Sequence, residues 1–161
     1  GRDRVRDAMD ISKLLTPERI RVPLASTSKT DAITALIDVL AATDGLLDRD
    51  AALAAVLRRE NERSTGIGFG LAIPHGKSDG CRSLVMAAGK PAEGIDFQSA
   101  DRRPVTFIVL LVSPPDQTGA HIQALAKISR LMNIEEFRKA IAAAGSAGEL
   151  HAAIVAHEAH E

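Results

Sequence analysis

The chain has 161 residues, the size of one ordinary domain, and 45% of them are hydrophobic but only 2% aromatic, so its core must be built from Leu, Ile, Val and Ala. Its net charge of −1, from 20 basic and 21 acidic residues, gives no basic footprint for DNA, RNA or anionic lipid, and the absence of Trp and Tyr removes rings that base stacking uses. A lone cysteine, Cys81, excludes an internal disulfide and fits a reducing compartment; no apolar run reaches membrane-span length and no signal peptide is visible, so a cytoplasmic domain is expected.

Residues 1–8 are charged and precede Met9; they read as an extension, native or left from cloning, to a single domain over residues 9–161. Residues 19–24 alternate, with Ile20, Val22 and Leu24 on one side, and predict a strand. Ser28 with Asp31 three positions on is an acidic capping box, and the helix behind it places Ile33, Leu36, Ile37 and Leu40 on one face. Gly45 is expected to end that helix. Asp48 caps a second helix to about residue 60, with Leu53, Val56 and Leu57 inward. Residues 64–70 then break into a flexible glycine-rich segment, and Pro74 is expected to stop regular pairing.

Residues 83–88 predict a strand, and the unbroken apolar run 105–112 predicts a buried central strand ended by Pro114 and Pro115. A helix over about 118–132 follows, and Asn133 with Glu136 reads as the cap of another, with Ile134, Phe137 and Ile141 inward. Ser146 with Glu149 caps a last helix to about residue 157. Strands in the middle with helices before and after predict an α/β fold, a mixed sheet covered by helices on both faces.

The densest chemistry lies in residues 59–77, RENERSTGIGFGLAIPHGK. Glycines at alternate positions permit positive φ and close approach, and Pro74 and Gly76 hold His75 between a stiff and an unencumbered neighbour. Neither nucleotide-loop motif fits: Leu71 stands where the dinucleotide fingerprint needs its third glycine, and where the phosphate loop needs its spaced one.

The stretch STGIGFGLAIPHGK resembles the active-site signature of type-2 enzyme IIA proteins of the bacterial phosphotransferase system, the fructose, mannitol and nitrogen-regulatory family. LLVSPPDQTGAHIQALAKISRL, residues 110–131, resembles the strand, loop and helix in which that family presents a second histidine, and the likeness spans about residues 9–156. The resemblance implies a three-layer α/β/α fold and a phosphoryl carrier needing no metal or cofactor. It implies His75 as the phosphoryl acceptor, His121 as its stabilising neighbour and Arg59 as the charge partner of the phosphate; on residue chemistry, loop N–H groups of Gly76 or Lys77 are further candidate contacts, while Thr65 can bond the loop but reads first as a turn residue. The implied donor is phosphorylated HPr or its nitrogen-branch counterpart, and downstream stands an enzyme IIB cysteine or a regulated protein. LLVSPPDQT favours the nitrogen-regulatory branch; a sugar-branch protein and a non-phosphorylated regulatory domain of a transporter are the alternatives.

These roles suit the residue types. Neutral imidazole is populated near pH 7 and nucleophilic, the transferring phosphoryl group spreads charge over three oxygens, and a guanidinium fork binds two of them. Where the sequence departs from the family pattern, Phe69 makes an apolar rim expected, Arg63 adds a cation, and Arg58 beside Arg59 makes the choice between them one of alignment. Cys81 is expected to be inert, Asp116 to cap a helix, and the tail 157–161, HEAHE, to lack the spacing of a zinc motif.

Overall fold

The computed structural model describes residues 9–159; the charged residues 1–8, and His160 and Glu161 of the tail, lie outside them. In chain order the elements are α1 (Ile11–Leu14), β1 (Ile20–Leu24), α2 (Lys29–Ala42), α3 (Arg49–Glu62), β2 (Gly66–Gly68), β3 (Leu71–Ala72), β4 (His75–Lys77), β5 (Val85–Pro91), β6 (Phe107–Ser113), α4 (Thr118–Met132), α5 (Glu135–Ala143) and α6 (Ala147–Glu158). The strands form one mixed sheet in the order β1-β5-β6-β3-β2, with β4 also on β6.

Every residue of β6 is buried, because helices cover both faces of the sheet. Phe107, Val109 and Leu111 point into one core, with α1, α4, α5 and α6; Ile108, Leu110 and Val112 point into the other, with α2 and α3. This is the three-layer arrangement expected, and the double burial explains why the run is continuous rather than alternating.

The caps of the first two long helices act as the sequence indicates: Ser28 accepts from the Asp31 N–H at 3.2 Å and Asp48 from the Ala51 N–H at 3.0 Å, each worth about 1 kcal/mol. Ser146 does the same for Glu149 at 3.1 Å. Five expectations need correction. The left-handed residue ending α2 is Asp44, at φ 59°, and Gly45 follows it, donating its N–H to the Leu40 carbonyl at 2.8 Å. Residues 64–70 are not a loose loop: β2 and β3 form a hairpin, with positive φ at Gly68, Phe69 and Gly70. Asn133 closes α4 instead of opening α5, whose N-cap is Ile134 without a side-chain bond. Asp116 caps nothing, since Gln117 holds the α4 N-cap position.

Pro74 does not stop pairing either. β3 and β4 both run parallel to β6, Leu71–Ala72 against Phe107–Ile108 and His75–Lys77 against Leu111–Ser113, so they are two halves of one strand broken at Ile73-Pro74. Pro74 lacks an N–H, but its carbonyl accepts from Leu111 N at 3.0 Å and pairing resumes at once.

Candidate functional site

The break in the strand shapes the site. A residue before proline is confined to extended conformations, and Ile73 turns its carbonyl to the His75 side chain, 2.7 Å from Nδ1. A carbonyl only accepts, so Nδ1 carries the proton and Nε2 keeps its lone pair. His75 is half-buried, and burial followed by the charge of Arg59 lowers its pKa below the usual histidine value. The ring is therefore neutral at pH 7 with a free nitrogen, the form of a nucleophile.

Residues 114–117 return the chain from β6 to α4, so His121, in the first turns of α4, packs beside His75. The ring centroids are 5.3 Å apart at 67°. His121 is 4% exposed, and burial, then His75 and Lys77, push its pKa down to about 4. Its Nδ1 lies 2.6 Å from the hydroxyl of Ser113, the last residue of β6.

The two rings share a cavity of about 420 Å³ with Arg58, Arg59, Glu62, Gly76, Lys77, Ala55 and Leu125. It opens where β4 and β6 reach their C-terminal ends, the usual position for ligands in sheets with parallel strands. Both arginines line it, but Arg59 is the one whose charge acts on His75. One Arg59 nitrogen donates to the Arg63 carbonyl at 2.8 Å, which orients the fork and leaves other N–H groups to bind. Lys77 also lines the cavity and donates to Thr118 Oγ1 at 3.1 Å.

Gly76 acts by having no side chain. A Cβ there would sit 2.9 Å from the Ala55 carbonyl carbon and from the Val56 nitrogen, so the glycine lets β4 lie against the backbone of α3. Its N–H is not free for a ligand: Leu111 N bonding Pro74 O, and Ser78 N bonding Ser113 O, bracket Gly76 in the parallel ladder.

Thr65 is not brought to the cavity. It is buried, with its hydroxyl 2.6 Å and its N–H 3.2 Å from the Glu60 carboxylate, which Lys29 also approaches at 3.4 Å. This network ties the hairpin to the end of α3, the segment that carries Arg59. Glu60 and Ser113 are the two residues that sequence reasoning passed over. Glu60 repeats the inward spacing of Val56 and carries a charge on a buried face, a signal that was available; Ser113 has none, because its partner is set by the β6–α4 turn.

Phe69 does not rim this site. It stands at the hairpin, 55% exposed, with the Arg138 guanidinium 4.2 Å from its ring centroid, beside a separate larger cavity of about 610 Å³ that holds no histidine. Arg63 is exposed and meets the site only through its carbonyl. Cys81 is buried, its thiol pushed up to about 11 by burial and Asp79. In the tail, Glu158 accepts from the N–H groups of Ile11 and Ser12, at 2.6 and 3.0 Å.

The three-layer α/β domain thus sets two histidines with lowered pKa values beside arginine and lysine side chains in one open cavity, an arrangement that offers nucleophilic nitrogen and positive charge together. Residues 13–157 match the family model described as "Phosphoenolpyruvate-dependent sugar phosphotransferase system, EIIA 2", and the chain belongs to that family. Relatives come from both branches. A fructose-specific EIIA component of Haloferax volcanii is 36% identical over 87% of this chain and 91% of its own length, and a nitrogen regulatory protein of Bradyrhizobium diazoefficiens is 32% identical over 91% and 95%. The fructose-specific EIIABC component of Bacillus subtilis is 35% identical over 86% of this chain, which spans only 22% of that longer protein. Among solved structures, nitrogen regulatory protein IIA-Ntr of Neisseria meningitidis superposes with a TM-score of 0.79 at 26% identity, over 89% of this chain and 98% of that one. The IIA mannitol protein of Escherichia coli shares the fold, at TM-score 0.75 and 19% identity over 86% and 97%. No helix among the described residues is long and apolar enough to cross a membrane.

Proposed function

We propose that the chain is a histidine phosphocarrier that accepts a phosphoryl group on Nε2 of His75. The observation that carries this reading is the 2.7 Å bond from Nδ1 to the Ile73 carbonyl, which leaves Nε2 unprotonated at the cavity. In the transfer, the phosphorus–nitrogen bond of a donor phosphohistidine breaks and its electron pair stays on the donor nitrogen. A bond forms between phosphorus and Nε2 while Nδ1 keeps its proton, donating it to the Ile73 carbonyl, so the phosphorylated ring carries a formal positive charge beside the dianionic phosphoryl group. Arg59, Lys77 and an N–H of His121 stabilise the phosphoryl oxygens. No metal or cofactor enters this scheme.

The donor is phosphorylated HPr or its nitrogen-branch counterpart, in the cytoplasm. Ile122, 59% exposed beside His121, and Leu125 at the cavity give a partner an apolar ledge next to the charged site. The loop LLVSPPDQT and the IIA-Ntr likeness favour a nitrogen-regulatory role, in which the phosphorylation state controls partners. The identities of 35–36% to fructose-specific proteins favour the second reading, delivery to an enzyme IIB. A phosphorylated partner IIB accompanies IIA mannitol in one solved complex. Incubation with phosphorylated HPr and mass spectrometry tests the carrier role: a mass gain of one phosphoryl group, labile in acid and stable in base, is expected. Absence of any gain would leave a binding module such as a transporter's regulatory domain. Passing the label on to an enzyme IIB cysteine separates the sugar branch from the nitrogen branch.

A further inference from the structure

We propose that Ser113 is a positioning residue that fixes the proton of His121 on Nε2, so that this ring offers a donor to the phosphoryl oxygens on His75. The inference deepens the carrier reading and rests on it for its consequence, but the proton arrangement is a property of the unmodified chain.

Ser113 is fully buried at the end of β6, and its Oγ lies 2.6 Å from His121 Nδ1. Two arrangements fit that distance. Either the hydroxyl donates to Nδ1 and the ring proton sits on Nε2, or Nδ1–H donates to Oγ and Nε2 is bare. The Ser113 hydroxyl has no other hydrogen-bond partner among the described residues. In the second arrangement its hydrogen would be buried and unpaired, which folded proteins avoid. The first satisfies both groups. Burial and the neighbouring His75 and Lys77 disfavour the imidazolium, so the ring holds one proton and its position is a real choice.

The consequence follows from the pairing of the two rings. Ile73 keeps the proton of His75 on Nδ1 and bares Nε2, the nucleophile. Ser113 does the reverse for His121, baring Nδ1 and protonating Nε2. The cavity then presents one acceptor of phosphorus and one donor to its oxygens. Were His121 flipped in its proton, a lone pair would face the incoming dianion.

Long-range proton–nitrogen correlation spectra of the unphosphorylated chain, with His121 assigned, test the pairing directly. Nδ1 is expected in the unprotonated range and Nε2 in the protonated range; a protonated Nδ1 would overturn the proposal without any variant. In Ser113→Ala the two nitrogen shifts should converge as the tautomers mix. The same variant should slow phosphoryl acceptance at saturating phosphorylated HPr about tenfold or more while leaving the donor KM nearly unchanged, as loss of a prearranged donor does. Ser113→Thr, which keeps the hydroxyl, should restore both readouts. Unchanged shifts and rates in Ser113→Ala would refute the role. A wild-type chain with Nε2 protonated that takes no label sinks the carrier reading, and with it the phosphoryl role of Ser113, while sustaining the Ser113–His121 bond.

Discussion

Adding one carbon at Gly76 should damage the site through the backbone. A Cβ there would stand 2.9 Å from Ala55 C and Val56 N and 3.1 Å from Ala55 O, all main-chain atoms of α3 that no rotamer change can move. Ordinary contact begins near 3.4 Å, so β4 and α3 must separate by roughly 0.5 Å, and overpacking of this kind costs about 1–3 kcal/mol. The separation also parts His75, on β4, from Arg59, on α3. Misplacement on the scale of 1 Å is enough to lower rates by about 100-fold, so Gly76→Ala should lose roughly tenfold in phosphoryl acceptance. The assay is denaturant unfolding at unchanged m-value together with the rate of labelling by phosphorylated HPr. Gly119→Ala is the control: nothing lies within 4 Å of its Cβ in α4, and the added helix propensity should raise stability by a few tenths to about 1 kcal/mol. If Gly76→Ala keeps wild-type stability and labelling rate, the close approach of β4 to α3 is not what holds the site together.

The stability of the fold should depend on acid through His121. Its folded pKa of about 4 lies below the free value of 6.5, so between those pH values the unfolded chain binds the extra proton. Stability is full above about pH 6.5 and falls by roughly 2–3 kcal/mol as the pH drops toward 4; His121→Gln should flatten that slope in unfolding curves taken across the window. Arg59→Lys should label at least about tenfold more slowly, with near-normal stability, because a lysine cannot supply the planar fork; equal rates would assign the phosphate to Arg58 or Lys77 instead. Glu60→Gln should lower the unfolding midpoint by about 1–3 kcal/mol equivalent, since an amide cannot accept from Thr65 N–H and Oγ1 while facing Lys29. A thermally neutral Glu60→Gln would show that the hairpin is held by other contacts.

Layers, caps and the central strand were legible because they follow from local rules. Ser28, Asp48 and Ser146 cap helices as the residue spacing says, and the unbroken run in β6 reports burial on both faces. Errors fell where tertiary context outweighed local signals. Asn133 looks like an N-cap, yet its own N–H completes the last turn of α4; the glycines after Ser64 look loose, yet positive φ closes them into a hairpin on β6. His75, His121, Arg59 and Lys77 do meet in one cavity; the two motif stretches held both histidines and Lys77, while Arg59 came from the segment just upstream by alignment against Arg58. What no pattern could give was the proton arrangement, which depends on a carbonyl turned by Pro74 and on a serine that meets His121 only after the chain reverses at Pro114 and Pro115.

The most direct measurement is nitrogen-15 and phosphorus-31 spectroscopy of the intact chain after exposure to phosphorylated HPr, beside His75→Ala. A single phosphoryl group bonded to Nε2 of His75, with the Nδ1 proton retained, and no label in the variant, is the predicted result. A chain that stays unlabelled, or carries its phosphate on Nδ1 or on any other residue, would contradict it.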